Sequence, residues 1–106
     1  MIKIEIKEND QINSIKITGH ANFADYGKDI VCASVSSIAI TTVNALLSLN
    51  KDIKYVSKDG YLDITINKHD EVTDKIIDNM INLLVELSNQ YKNNIKIGRC
   101  HQWWCN

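Results

Sequence analysis

The stretch MIKIEIKENDQINSIKITG, residues 1–19, decides the fold class. Every second residue of IKIEIK, residues 2–7, is isoleucine, and the residues between are charged. This period of two is typical of a strand with one face in water. Asn9 and Asp10 supply a turn, and SIKIT, residues 14–18, repeats the alternation. The stretch therefore predicts an antiparallel β-hairpin.

Two later segments change to an apolar period of three to four residues, which predicts helices. The first runs from about Asp29 to Leu49 and contains no charged residue between these bounds, so we expect it to be largely buried. The second begins after Asp70, a good capping residue, and ends near Asn93. The predicted core stripes are Val31, Val35, Ile38, Ala39, Val43, Leu46 and Leu47 in the first helix and Val72, Ile76, Ile77, Met80, Leu83, Leu84, Leu87 and Tyr91 in the second.

Strand patterns occupy the rest of the chain. Alternating residues flank Asp59-Gly60, a dipeptide that favours the two positive φ angles of a type I′ turn and so predicts a second hairpin. Ile95 and Ile97 indicate a short last strand. The order ββαββαβ predicts an α+β fold of two layers, with a mainly antiparallel sheet covered by two helices. Which strands are neighbours cannot be read from the sequence.

Composition limits the possible functions. The chain has 106 residues, a formal net charge of −1 and interspersed charges, which argue for one domain and against direct nucleic-acid binding. The alternating N-terminus lacks the apolar run of a signal peptide or membrane span, so we expect a cytoplasmic protein that does not bind a membrane. Three cysteines do not fit the paired pattern of a small secreted domain, which indicates that Cys32 is a reduced thiol.

One His and one Cys stand close together in GHANFADYGKDIVCASVS, residues 19–36. If Asp29 caps the first helix, Cys32 lies in its first turn, where amides and the helix dipole favour a thiolate. His20 lies at the end of the preceding strand and could take the thiol proton, and amides of the first turn could form an oxyanion hole. Ser36 lies one turn beyond Cys32 on the same face. A carboxylate at Asp29 opposes the thiolate unless it is engaged in capping.

Purely structural roles compete with this chemistry. A cysteine between apolar residues is commonly a small core residue, and His20 after a glycine could be a turn residue. The serines of the first helix could simply bond back to helix carbonyls. His69 is expected to be a solvated or pre-cap residue of the second helix. Spacing alone leaves these alternatives open.

The pattern Gly19-His20-Ala21, then Gly27, then Asp29-Ile30-Val31-Cys32-Ala33 and Val35-Ser36 resembles the signature of the ribosomal-processing cysteine protease (Prp) family. The likeness extends from residue 1 to about residue 97 and includes the order ββαββαβ. It implies a cytoplasmic homodimer without a cofactor. It also implies a substrate, the N-terminal extension of large-subunit ribosomal protein number twenty-seven, whose N-terminus approaches the peptidyl-transferase centre. The weakly charged first helix could supply the dimer interface, although burial in its own core explains it equally well.

The resemblance also assigns residue roles. It implies that Cys32 is the nucleophile and His20 the general base, with Asp29 and Ser36 in support. Gly19 and Gly27 would be hinges of a mobile loop over the cleft. Independently of the resemblance, we expect two aromatic loop residues either to touch the substrate or to pack the loop down: Phe23 and Tyr26. The alternative function is a non-catalytic, ribosome-associated binding module with Cys32 in its core.

Residues 98–106 do not resemble the family. This segment holds the chain's only Arg, both Trp and two of the three Cys, so we interpret residues 1–97 as the domain and the tail as an atypical segment of different origin. Metal binding by Cys100, His101 and Cys105 is an alternative, but the second ligand pair of a structural zinc site is missing. We therefore expect no metal site.

Overall fold

The computed structural model describes residues 1–19 and 29–101, with only the backbone at residue 101. It confirms the α+β fold and the order ββαββαβ. A sheet of five strands in the order β3-β4-β2-β1-β5 forms one layer. Its elements are β1 (Ile2–Glu8), β2 (Ile12–Gly19), α1 (Ile30–Ser48), β3 (Ile53–Lys58), β4 (Tyr61–Ile66), α2 (Glu71–Gln90) and β5 (Ile95–His101).

The sheet is mainly antiparallel, as predicted. β1 pairs antiparallel with β2, β2 with β4, and β3 with β4, whereas β5 lies parallel to β1. Both helices consequently connect parallel strands: α1 joins β2 to β3, and α2 joins β4 to β5. The connection through α1 crosses the sheet from β2 to β3, and the connection through α2 crosses it the other way, from β4 to β5. Because β2 and β4 are antiparallel, two right-handed crossovers in these opposite directions place both helices on the same face of the sheet. Contacts between α1 and α2 agree with this placement.

The core lies between this face and the helices. Ile4, Ile6, Ile15 and Ile64 are fully buried on the helix-facing side of the sheet. The opposite side carries the charged residues of the alternating pattern and faces solvent. One-sided burial fixes the register, since a slip of one residue would turn every isoleucine to water.

Burial of α1 differs from the prediction. Only the flank that contains Val31, Val35 and Leu46 is buried, while Leu47, a member of the predicted core stripe, is 41% exposed. The exposed residues of α1 are small polar and alanine side chains together with Ile30, Ile40 and Leu47, so the absence of charge does not indicate burial here. By length and composition alone α1 could cross a membrane. In the structure, one flank of α1 packs on the sheet and the remaining residues are partly or fully exposed.

The buried face of α2 is also rotated from the predicted stripe. Val72 and Leu83 are exposed at 47% and 41%, whereas Thr73 and Ile81 are buried. The end of α1 is as predicted, with Ser48 as the last helical residue and Leu49 as the C-cap. Two further details depart from the predictions. Asp59 does not share the positive φ of Gly60, so the turn is not type I′. β5 continues through Gly98 to residue 101, beyond the predicted strand, and pairs with β1 over that length.

Candidate active site

Asp29 fixes the start of α1. Its Oδ1 accepts hydrogen bonds from the backbone N–H groups of Val31 at 3.0 Å and Cys32 at 2.9 Å. Its own carbonyl accepts from Ala33 N–H at 3.2 Å, the first helical bond. The predicted cap is therefore confirmed, and Cys32 lies in the first turn of the helix.

The same bonds contradict part of the predicted oxyanion hole. The amides of Val31 and Cys32 already donate to Asp29, so in this arrangement they do not point at a substrate carbonyl. An N-cap carboxylate that accepts from two amides also places its negative charge at the positive end of the helix dipole. Beside the thiol, Asp29 therefore acts as a helix cap.

Cys32 lies at the wall of an open cleft. It is not part of a disulfide and is partly buried, with its inner side packed against the core. The cleft has a volume of about 200 Å³ and lies between the first half of α1 and the β3–β4 turn. Ser36, one turn further along α1, lines it too, as its spacing from Cys32 predicts. The apolar residues of the lining are Ile2, Ile17, Val35, Ala39, Ile40 and Leu62.

The second wall of the cleft comes from residues that the sequence did not single out. Lys58, Asp59, Gly60 and Tyr61 of the β3–β4 turn face α1 across the opening. The dipeptide Asp59-Gly60 predicted a turn, but its position beside Cys32 depends on β4 pairing with β2, which no local signal reveals.

Gly19 also lines the cleft and is the residue that precedes His20 in the sequence. Its φ of 91° is in the left-handed region, and a Cβ at this position would collide with the carbonyl oxygen of Met1. Its N–H donates to Gly60 O at 2.9 Å, which ties β2 to the opposite cleft wall. Glycine is required here by the folded structure, whether or not it is also a hinge.

The remaining predicted site residues lie outside the described residues: His20, Phe23, Tyr26 and Gly27. The predictions made for them stay predictions. Ser34, by contrast, has the structural role expected of a helix serine, because its Oγ donates to Ile30 O at 2.6 Å. Within residues 1–19 and 29–101, no cluster of His, Cys, Asp and Glu could hold a metal ion.

His69 lies far from the cleft. Its Nδ1 is 2.7 Å from Asp74 Oδ1 and its Nε2 is 3.0 Å from Asn13 Oδ1, so it is a partly buried pre-cap residue rather than a solvated one. Asn13 is near the start of β2, whereas the cleft is at the end of that strand. His69 therefore cannot act as a base for Cys32.

The two-layer fold places a thiol in the first turn of a helix, at the wall of an open cleft, an arrangement that suits an enzyme of the cysteine-dependent class. The family model described as Cysteine protease Prp matches residues 1–96. The chain belongs to this family and is a cysteine protease, which confirms the resemblance read from residues 19–36.

Individual relatives agree. The ribosomal processing cysteine protease Prp of Bacillus subtilis is 32% identical over 107 residues, which cover 92% of this chain and 96% of the relative. That of Staphylococcus aureus is 30% identical over 104 residues, covering 92% and 98%.

Solved structures of the S. aureus protease share the fold. Its complex with a covalently linked product peptide superposes with a TM-score of 0.88 at 27% identity, over 94% of this chain and all of that one. Its complex with a substrate peptide gives a TM-score of 0.83 at 26% identity, with the same coverage. The alternative of a non-catalytic binding module is not supported, because the family consists of proteases and Cys32 lines an open cleft.

Proposed function

We propose that this protease removes the N-terminal extension of large-subunit ribosomal protein number twenty-seven in the cytoplasm, with Cys32 as nucleophile and His20 as general base. One observation carries the proposal: Cys32 and Gly19, the residue before His20, line the same cleft. The relatives' role in ribosomal processing supports the substrate class.

In the proposed reaction, His20 takes the thiol proton and the sulfur of Cys32 attacks the carbonyl carbon of the scissile peptide bond. The carbon–nitrogen bond then breaks, and the proton held by His20 goes to the leaving amine. Water, deprotonated by the same imidazole, hydrolyses the thioester and releases the upstream peptide. No step needs a cofactor.

Supporting roles follow from position. Asp29 holds the helix start that carries the thiol, and Ser36 offers a hydroxyl on the same wall of the cleft. Because Asp29 occupies two first-turn amides, the oxyanion donors must come from other groups of the cleft. Gly19 and Gly27 act as loop hinges, and Phe23 and Tyr26 contact the substrate.

The test is mass spectrometry of the purified ribosomal protein after incubation with each variant. Cys32→Ala and His20→Ala should each abolish loss of the extension, because one removes the nucleophile and the other the base. Ser34→Ala is the matched control, since its hydroxyl serves only a helix carbonyl. Full processing by either of the first two variants, with the fold intact by circular dichroism, would show that the dyad is assigned wrongly.

We further propose that the chain forms a homodimer through the outer face of α1. That face is exposed and uncharged, and Ser37, Thr41 and Asn44 lie on it. Small side chains allow two helices to approach closely. Sedimentation should give twice the chain mass, and Ser37→Asp should shift it toward the monomer because two like charges would meet at a two-fold axis. A monomeric wild-type chain at micromolar concentration would contradict the proposal.

A further inference from the structure

The cleft does not end at Cys32 but continues along α1. Its α1 lining residues follow at intervals of three and four, from Cys32 through Ser36 to Ile40. The next turns of the same flank bring Leu47 to this side, seven residues after Ile40 and thus two turns further. Ile40 and Leu47 are 46% and 41% exposed, so this apolar flank is open to solvent along half the helix.

The helix-facing side of strand β3 is partly exposed to solvent beside this flank of α1. Tyr55 is opposite Ile64 in the β3–β4 ladder and therefore shares its helix-facing side, yet Ile64 is fully buried and Tyr55 is 45% exposed. Five strands at about 4.8 Å span more width than two helices at about 10 Å can cover. Of the two edge strands, β3 is the less covered, because Ile95 of β5 is buried whereas Ile53 of β3 is only partly buried and Tyr55 is exposed.

We call these two exposed surfaces together the α1–β3 groove, with Ile40 and Leu47 on its helix side and Tyr55 on its strand side. α1 begins beside the β3–β4 turn and ends just before β3 starts, so the helix and the strand run in opposite directions along the groove. From Cys32 to Leu47 the helix rises roughly 22 Å. That length accommodates about six to seven residues of extended peptide.

We propose that the α1–β3 groove binds the substrate residues upstream of the scissile bond in an extended conformation, with apolar side chains on Ile40 and Tyr55. The inference rests on the proposed function, because it takes the N-terminal extension as the substrate. Ile40 lines both the groove and the cleft of Cys32, and this continuity indicates that the groove is occupied by the substrate peptide. The upstream part is the one that stays attached to the thiol in the acyl-enzyme, so contacts along the groove hold it while water enters.

Binding in the groove would make the affinity for the substrate depend on the length of its N-terminal extension. A peptide that fills it gains contacts that a shortened peptide lacks, and these contacts are the same in the ground state and the transition state. Such uniform binding lowers KM and leaves kcat unchanged. Tyr55 and Ile40 are therefore assigned as specificity-determining residues rather than catalytic ones.

The experiment compares two labelled peptides, one with the entire extension and one lacking its first half. Their affinity for the Cys32→Ala chain is measured by fluorescence anisotropy, and their cleavage by chains with intact Cys32 is measured separately. We expect Tyr55→Ala, and independently Ile40→Ser, to weaken binding of the long peptide about tenfold. The preference for the long peptide should collapse, and the cleavage data should show the change in KM.

Val56→Ala is the matched control. Val56 is the next residue of β3, 40% exposed, and lies on the opposite side of the sheet because it pairs with Asp63. It should bind both peptides as the parent does. An equal loss in Val56→Ala, or no loss in Tyr55→Ala and Ile40→Ser, would overturn the groove assignment.

Two outcomes distinguish peptide binding in the groove from the substrate proposal and from dimerisation. If the intact protease cuts neither peptide but the Cys32→Ala chain still prefers the long one through Tyr55, the substrate proposal fails and the groove stands. If Tyr55→Ala changes the sedimenting mass and not the peptide affinity, a second copy occupies the groove and the inference is wrong.

Discussion

Asp29 shows how one carboxylate resolves a conflict at the residue scale. Beside a thiol it would oppose ionisation, yet it accepts from two amides of the same turn and so keeps the helix end in place. The cap was predictable because aspartate precedes an apolar period of three to four. That both amides donate to Asp29, which contradicts the oxyanion assignment, could not be predicted from the sequence. It depends on which oxygen atom each N–H group contacts in the folded helix.

Two substitutions at Asp29 separate its cap from its charge. Asp29→Ala removes the acceptor of two amides and should lower the free energy of unfolding by about 1 kcal/mol. Asp29→Asn keeps a capping oxygen, so stability should hardly change, and alkylation of Cys32 at pH 7 should become faster because the two amides offset only part of the carboxylate's negative charge. Thermal unfolding and peptide mapping after iodoacetamide treatment measure the two effects. Slower alkylation of Asp29→Asn would mean that the carboxylate also orients the general base.

At the scale of elements, the N-terminus of α2 is held by a second capping aspartate. Asp70 Oδ1 accepts from Thr73 N–H at 2.7 Å, and its Oδ2 is 2.9 Å from Lys51 Nζ in the loop after α1. The hydrogen bond from the Thr73 amide, aided by Lys51, lowers the pKa of Asp70 from 3.8 to about 2. The cap was predicted from the sequence, whereas the link to Lys51 requires the tertiary fold.

This shift predicts an acid-dependent stability. The folded pKa lies below the unfolded one, so the contribution of Asp70 is present above pH 3.8 and is lost as the pH falls toward 2. Asp70→Asn should lower Tm by a few degrees at pH 6, and the difference from wild type should shrink as the pH approaches 2. Circular dichroism melts across this range measure it. A difference that stays constant with pH would show that the ionised carboxylate is not responsible.

The elements also show where amphipathic patterns fail. The stripe predicted for α2 includes Val72 and Leu83, which face solvent, and omits Ile81, which is buried. Apolar residues surround much of this helix, so several faces fit the period about equally, and only packing against the sheet and α1 selects one. For α1, the absence of charged residues suggested burial. Uncharged serine and threonine side chains, however, also lie readily on a solvent-exposed face.

For the whole molecule, the order of elements was predictable and the order of strands was not. Local alternation marks each strand, but β4 next to β2 and β5 next to β1 are pairings between distant segments. The site follows the same division. Cys32, Asp29 and Ser36 are found by spacing along one helix, while the β3–β4 turn reaches the cleft only through the strand order.

The strand order makes one residue of the central strand critical to the entire sheet. Ile15 of β2 is opposite Ile6 on one side and Ile64 on the other, and all three are fully buried. Truncation there removes apolar contacts in the middle of the core, where the sheet cannot close around the cavity. Ile15→Ala should therefore cost about 2–5 kcal/mol of unfolding free energy.

Lys16→Ala is the control for this prediction, because the next residue of β2 points to the opposite side of the sheet and its loss leaves no cavity. It should change the free energy of unfolding by less than about 0.5 kcal/mol. Urea unfolding of both variants measures the difference, and an unchanged m-value would show that the native state, rather than the denatured ensemble, is affected. Equal costs for the two variants would mean that the helix-facing side of β2 is not the centre of the core. The register that places Gly19 at the cleft would then be wrong as well, since every side chain of β2 follows from the same alternation.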